Sequence, residues 1–198
     1  MIRRSVTMGI VALASSALMH ASQFGERFHT TYASLRSLSC TFTDASGIRG
    51  SVSAVKGGKY DIKLPDRRIV SNGTTVWNIT PSSKTVIINA MNTNSEDLSI
   101  ERVFFTLMAV YRIQNESKPD ARKHITLRLV PPAPSAVVGG VVWADVTVDA
   151  SMNVETITIH DGASTTRWAI SRLKRNRPID ASVFTFTPAN DWQVIDLR

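Results

Sequence analysis

Between Leu38 and Thr187 the chain is cut into short stretches in which apolar and polar residues alternate, each ending at a turn signal. A period of two puts one face of each stretch in a core and the other toward solvent, the mark of half-buried strands. Leu38, Cys40 and Phe42 alternate with Ser39, Thr41 and Thr43, and Asp44-Ala45-Ser46-Gly47 turns the chain. The segment from Ile48 to Val55 follows, with Ile48, Gly50, Val52 and Ala54 on one side, until Gly57-Gly58. Tyr60, Ile62 and Leu64 alternate up to Pro65-Asp66. Ile69-Val70 ends at Asn72-Gly73, a strong two-residue hairpin signal. Thr74 to Ile79 and Lys84 to Asn89 flank Pro81-Ser82-Ser83. Further on, the spacing predicts strands at Ile125 to Leu129, Val142 to Val148, Val154 to His160 and Thr165 to Leu173, with a last one at Phe184-Thr185-Phe186-Thr187. Such a succession is an antiparallel meander. The fold class it implies is mainly β with helices (α+β), as a single domain with a curved antiparallel sheet enclosing a concave apolar surface.

Two segments break the period. Phe24, Phe28, Tyr32 and Leu35 recur at helical spacing, with Glu26, Arg27, Ser34 and Arg36 turned away, so an amphipathic helix of about four turns precedes the first strand. The second helix is predicted over Leu98 to Ile113, capped by Asn94 or Ser95, with Glu96 and Asp97 at its positive end. Its apolar residues, among them Ile100, Phe104, Phe105, Leu107 and Met108, spread over far more than one face. Two readings fit that breadth, a core helix between layers and a lid over an apolar hollow, and periodicity leaves both open.

The first residues are of another kind. Arg3 and Arg4 are followed by an uncharged run from Val6 to Met19 and then by small residues at Ala17, Ala21 and Ser22. Basic, apolar and small segments in that order read as a secretory signal peptide over residues 1–21, cleaved after Ala17 or Ala21. The run is shorter than the roughly 18 residues a membrane-spanning helix needs. The mature domain is then 22–198, placed outside the cytoplasm. Cys40 is the only cysteine, so the fold stands without an internal disulfide, and its alternation with Leu38 and Phe42 makes it a small buried hydrophobe.

With 23 basic and 16 acidic residues the chain carries +7, which falls to +5 (21 minus 16) once Arg3 and Arg4 are removed. The densest basic run, Arg172-Leu173-Lys174-Arg175-Asn176-Arg177, has no interleaved aromatics and reads as a solvated strand end, so nucleic acid is not an expected partner. No catalytic constellation emerges. The histidines His20, His29, His124 and His160 lack metal-ligand spacing, and neither a Gly-x-Ser-x-Gly elbow nor a phosphate-binding loop is present. Asp145, Asp149, Asp161 and Asp191 are placed at strand ends and turns, where Asp bonds its own backbone. The expectation is a non-enzyme with no cofactor, no metal and no catalytic residue.

Two stretches together resemble the periplasmic outer-membrane lipoprotein carrier (LolA) family. Within Gly50 to Ile88, a strand leads to Lys56-Gly57-Gly58-Lys59-Tyr60, then to Ile69-Val70-Ser71-Asn72-Gly73-Thr74-Thr75-Val76-Trp77 and Pro81. The family's pattern there is a strand, Lys-Arg-Pro, and Val-Ser-Asp-Gly-Lys-x-Leu-Trp. Near the end, Phe184-Thr185-Phe186-Thr187-Pro188 resembles the family's Phe-x-Phe-x-Pro-Pro. The order of elements agrees over nearly the whole mature chain.

The resemblance implies an unclosed β-barrel plugged by the amphipathic N-terminal helix and an apolar lid helix. It implies a monomer that shields the acyl chains of triacylated lipoproteins, receives them from an inner-membrane ABC-type releasing complex and delivers them to an outer-membrane receptor. Cavity and lid would be lined by Phe42, Val52, Ala54, Trp77, Ile100, Phe104, Phe105, Leu107 and Met108. The family commonly has a latch Arg just before a Pro at the end of the second strand, where this chain has Lys56 and Gly57. Lys offers a point charge in place of a planar fork of donors, so Lys56 is a latch candidate, with Arg67 or Arg68 as alternatives. A second reading is a periplasmic lipid- or lipoprotein-binding sensor of the same fold that regulates a membrane partner.

Overall fold

The computed structural model describes residues 22–92 and 99–198. The proposed signal peptide lies outside the described residues, as do the helix caps placed at Asn94 or Ser95 and the acidic pair Glu96 and Asp97. Twelve strands form one sheet: β1 (Ser37–Asp44), β2 (Arg49–Val55), β3 (Lys59–Lys63), β4 (Arg68–Asn72), β5 (Thr75–Thr80), β6 (Thr85–Ala90), β7 (Arg112–Glu116), β8 (Ile125–Val130), β9 (Trp143–Val148), β10 (Val154–His160), β11 (Thr165–Arg175) and β12 (Gln193–Asp196). Their spatial order is β12-β6-β5-β4-β3-β2-β1-β11-β10-β9-β8-β7. Two meanders, β1 to β6 and β7 to β11, are therefore sewn together where β11 pairs antiparallel with β1. The sheet does not close, and β7 and β12 are its two edges.

Local chemistry explains the turns. Asn72 Oδ1 accepts from the N–H groups of Thr74 and Thr75, and Gly73 takes a φ of +93°. Asp44 Oδ1 accepts from the N–H groups of Ser46 and Ile48, and Asp149 and Asp161 serve their own turns the same way. Asp145 departs from the sequence reading. It sits within β9 and pairs bidentately with Arg128 on β8, at 2.5 and 2.7 Å.

Helix α1 (Gln23–Ala33) is capped by Ser22, whose hydroxyl accepts from Gly25 N–H. Phe28, Tyr32 and, just past the helix, Leu35 are buried against the sheet. The Tyr32 hydroxyl donates to the Met152 carbonyl at 2.8 Å, tying the helix to the β9–β10 turn. The second helix, α2, opens with an α-helical turn, Ile100–Arg102, continues as a π-helical segment, Val103–Leu107, and closes with an α-helical turn, Met108–Val110. Ser99 is its cap, accepting from Arg102 N–H. A π segment swells a helix locally and turns extra side chains inward, and such segments recur at functional sites.

Helix α2 is shorter than the predicted Leu98 to Ile113. Tyr111 adopts an extended backbone, its hydroxyl donates to the Val141 carbonyl at 2.6 Å, and it accepts from Val138 N–H. That anchorage turns the chain into β7, which places Ile113 in the sheet opposite Leu129. The predicted strand at Phe184 to Thr187 is also replaced. Asp180 caps a 3-10 turn, Ala181–Phe184, and Pro188 has no N–H to give a ladder. The final strand is β12 instead, and it runs parallel to β6, so the sheet is not wholly antiparallel.

One hydrophobic core joins both helices to inward residues of β1–β3 and β8–β11, from Leu38 and Val52 to Val146 and Ile157. A single core shared by strands so far apart in the sheet order requires the sheet to curl around the helices.

Candidate functional site

The helices fill only part of this curled sheet. Beside the first turn of α2, over the inner faces of β3 to β6, lies a hollow of about 1120 Å³. Cross-strand register sets its floor. Ile62 pairs with Ile69, Ile69 with Asn78, and Val76 with Asn89, which puts these side chains on the inner face with Tyr60. The rim comes from the β1–β2 and β3–β4 turns, through Ile48, Leu64 and Pro65, and from Trp168 on β11. Its floor is largely apolar, with Asn78, Asn89 and Tyr60 as polar points, and its lining also includes the charged residues Asp44, Asp66, Arg67, Glu101 and Arg102.

Phe42 and Ile100 line this hollow directly. The Phe42 ring lies over Gly50 on the paired strand, where a Cβ would overlap the ring's Cζ and come within 2.9 Å of the Lys63 carbonyl oxygen. Val52, Ala54, Phe104, Leu107 and Met108 are at most 1 % exposed and pack into the core that abuts the hollow, joined by the slightly more exposed Phe105. Phe104 meets Tyr32 of α1 with ring centroids 6.2 Å apart. Of the two readings left open by the sequence, the core helix holds, and the first turn of α2 also walls the hollow.

Two expected site residues lie elsewhere. Trp77 pairs with Val70 and Ile88 and belongs to a separate cluster with Ile79 and Val86, on the outer face of the sheet. There it meets Phe186 and Trp192, whose rings are 5.3 Å apart. Lys56 sits in the exposed β2–β3 turn, where its N–H donates to the Arg36 carbonyl, and its ammonium group bonds to no described residue. Of the alternative latches, Arg68 is engaged elsewhere and Arg67 lies at the rim of the hollow. Arg68 pairs with buried Asp61 at 2.7 Å and reaches the Val183 carbonyl, while Arg67 approaches only Asp66, at 3.9 Å.

Sequence reasoning missed Glu101. It is the second residue of α2, lines the hollow and is only 5 % exposed. Burial raises its carboxyl to about 7, against smaller opposing effects of Arg102 and the Ser99 hydroxyl. Glu101 in turn adds to the rise in the Tyr60 phenol, which burial mainly causes. No sequence signal singled it out, because the same helix also carries Arg102 and Thr106 and the burial of Glu101 comes from tertiary packing. Cys40 also faces inward, and burial pushes its thiol up to about 12. Among the described residues no group of three or more His, Cys, Asp or Glu is placed to hold a metal, and no helix is long and apolar enough to cross a membrane.

Residues 42–187 match the family model for outer membrane lipoprotein carrier protein LolA. The chain belongs to this family. The match runs from the end of β1 through the 3-10 turn after β11, and so takes in the whole hollow and α2. Among solved structures, this LolA-family chain is similar to an uncharacterized conserved protein from Thermus thermophilus, at 11% identity over 86% of this chain and 95% of that one, with a TM-score of 0.54. It is also similar to LprF from Mycobacterium bovis (9% identity, 86% and 97% coverage, TM-score 0.45) and to the lipoprotein LppX from Mycobacterium tuberculosis (17%, 80% and 96%, TM-score 0.42). At such identities the likeness to the Thermus protein shows a shared fold and nothing about cargo. No curated protein matches the sequence. A LolA-family fold with an unclosed sheet and a hollow is suited to binding lipid or lipoprotein.

Proposed function

We propose that this protein is a periplasmic carrier that shields the acyl chains of triacylated lipoproteins and moves them from the inner to the outer membrane. The observation that carries this reading is the hollow of about 1120 Å³ beside α2. Ordinary small-molecule pockets run to roughly 300–1,000 Å³, so this space suits a larger apolar guest. Each acyl methylene kept from water is worth roughly 0.8 kcal/mol, so a triacylated anchor cannot cross an aqueous space bare. Helix α2 can act as a lid, because its contacts through Phe104, Phe105, Leu107 and Met108 are apolar and non-directional. Cargo chains can replace these apolar contacts, with the Tyr111 hydroxyl bonds to Val138 and Val141 left as the hinge. The basic, apolar and small order of residues 1–21 supports export. An inner-membrane ABC-type complex loads the carrier, an outer-membrane receptor unloads it, and the carrier works as a monomer with no nucleotide of its own.

The test is a photo-crosslink in living cells. With p-benzoylphenylalanine replacing Ile62, on the floor of the hollow, irradiation should join the protein to acylated lipoproteins. Crosslinks only to an integral membrane regulator would overturn the carrier reading in favour of a sensor.

A further inference from the structure

At the end of β1 opposite the Asp44–Ile48 turn, two further clefts of about 480 and 590 Å³ lie side by side. They share Arg177, Pro178 and Ile179, so they form one elongated depression where the chain leaves β11. Leu38, Val55, Pro178 and Ile179 give it apolar walls. Lys174 completes one half and Arg36 the other, and no Asp or Glu lines either.

Several basic residues elsewhere in the sheet have acidic partners. Arg68 is matched to Asp61, Lys84 to Asp191, Arg128 to Asp145 and Arg198 to Asp196. The side chains of Arg36, Lys174 and Arg177 are exposed and bond to no described residue, and the same holds for Lys56, which follows Val55. The backbone beneath them is fixed. Ser37 Oγ donates to the Arg177 carbonyl at 2.6 Å, Asn176 N–H donates to the Ser37 carbonyl, and Asn176 Oδ1 accepts from Arg36 N–H. Two non-glycine residues with left-handed backbone, Arg172 and Asn176, both at φ +55°, bracket Lys174, beside a register shift between β1 and β11. Such conformations are costly for side-chain-bearing residues and persist where the surroundings impose them.

We infer that this depression docks an extended acidic segment of a partner protein. A bilayer offers a flat face that would rest on the rim, whereas an extended chain can lie in the cleft. Alternate carboxylates would meet Arg36, Lys174 and Arg177 while apolar side chains between them meet Val55, Pro178 and Ile179. The depression lies away from the Ile48 rim of the hollow, so a partner could hold the protein there while the hollow stays free to exchange its contents.

The probe is a fluorescein-labelled octapeptide of alternating Asp and Leu, titrated by fluorescence anisotropy against the full-length mature protein. Binding is expected to weaken as salt is raised and to fall about tenfold in the double variant Lys174→Ala, Arg177→Ala, since exposed charge pairs contribute modestly one by one. The Lys-for-Asp version of the peptide should not bind, and Lys118→Ala, on the β7–β8 loop, should bind as wild type does. Both substituted side chains are exposed, so an unchanged circular dichroism spectrum is the check on folding. Equal affinity of wild type and double variant would overturn the inference. So would binding of phosphatidylglycerol vesicles through these residues with none of the acidic peptide, which would assign the depression to a membrane.

Discussion

Glu101 gives the sharpest physical prediction. Its carboxyl titrates at about 7 in the folded protein, against 4.5 for an ordinary glutamate, because the folded chain keeps it from water. The folded state therefore holds its proton more tightly than the unfolded state does. The resulting stability is fully present below about pH 4.5 and is lost as pH rises through about 7. A difference of about 2.5 pK units at 1.36 kcal/mol each amounts to about 3 kcal/mol. Glu101→Gln keeps the size of the side chain and removes the charge, so it should remove the loss. Urea unfolding of both proteins from pH 4.5 to 8.5 is the assay. The variant should match wild type at the acid end and exceed it by up to about 3 kcal/mol at pH 8.5. His29, lowered mainly by burial, works in the other sense, losing stability as pH falls, but it is common to both proteins and cancels in the difference. A stability difference that does not change with pH would refute the reasoning. If α2 is the lid, the same proton favours the closed state in acid, and lipid uptake should rise with pH.

Other outcomes follow from the packing. Phe105→Asp should abolish lipid uptake while the far-ultraviolet β signal persists, and uptake that survives would remove Phe105 from the lid. Gly50→Ala should cost about 1–3 kcal/mol in chemical unfolding, because the new Cβ overlaps the Phe42 ring, and an unchanged midpoint would contradict that contact. Cys40, with its thiol at about 12, should resist iodoacetamide at pH 8 until the protein is denatured. Native-state alkylation at the rate of a free thiol would show that β1 is not packed as described.

What the sequence disclosed depended on whether the signal was local. The hairpins were legible because alternation and turn residues act over a few positions, as at Asn72-Gly73 and Asp44 to Gly47. Strand β7 was not, since Arg112 to Glu116 contains one apolar residue and an edge strand buries little. Trp77 was assigned to the wrong face because β4 and β5 are apolar on both sides. Ile69 and Val76 face the hollow, while Val70 and Ile79 face an outer cluster built with Phe186 and Trp192. That cluster forms only after the C-terminal segment folds back, a long-range event no window reveals. The same event turned Phe184-Thr185-Phe186 from an apparent strand into a cover for the outer face. Helix α2 has an apolar surface wider than one face because it plugs a curled sheet. Its π segment and the burial of Glu101 depend on tertiary packing and left no mark in the periodicity.

The central claim is that this hollow keeps acyl chains in solution. A fluorescent triacylated lipopeptide, diluted from detergent into buffer with the purified mature protein and passed over a gel-filtration column, tests it directly. The account predicts that lipopeptide elutes with the monomer at close to one per chain, and that Phe105→Asp loses it. Lipopeptide found only in the aggregate fraction, with the folded protein eluting bare, would contradict the account.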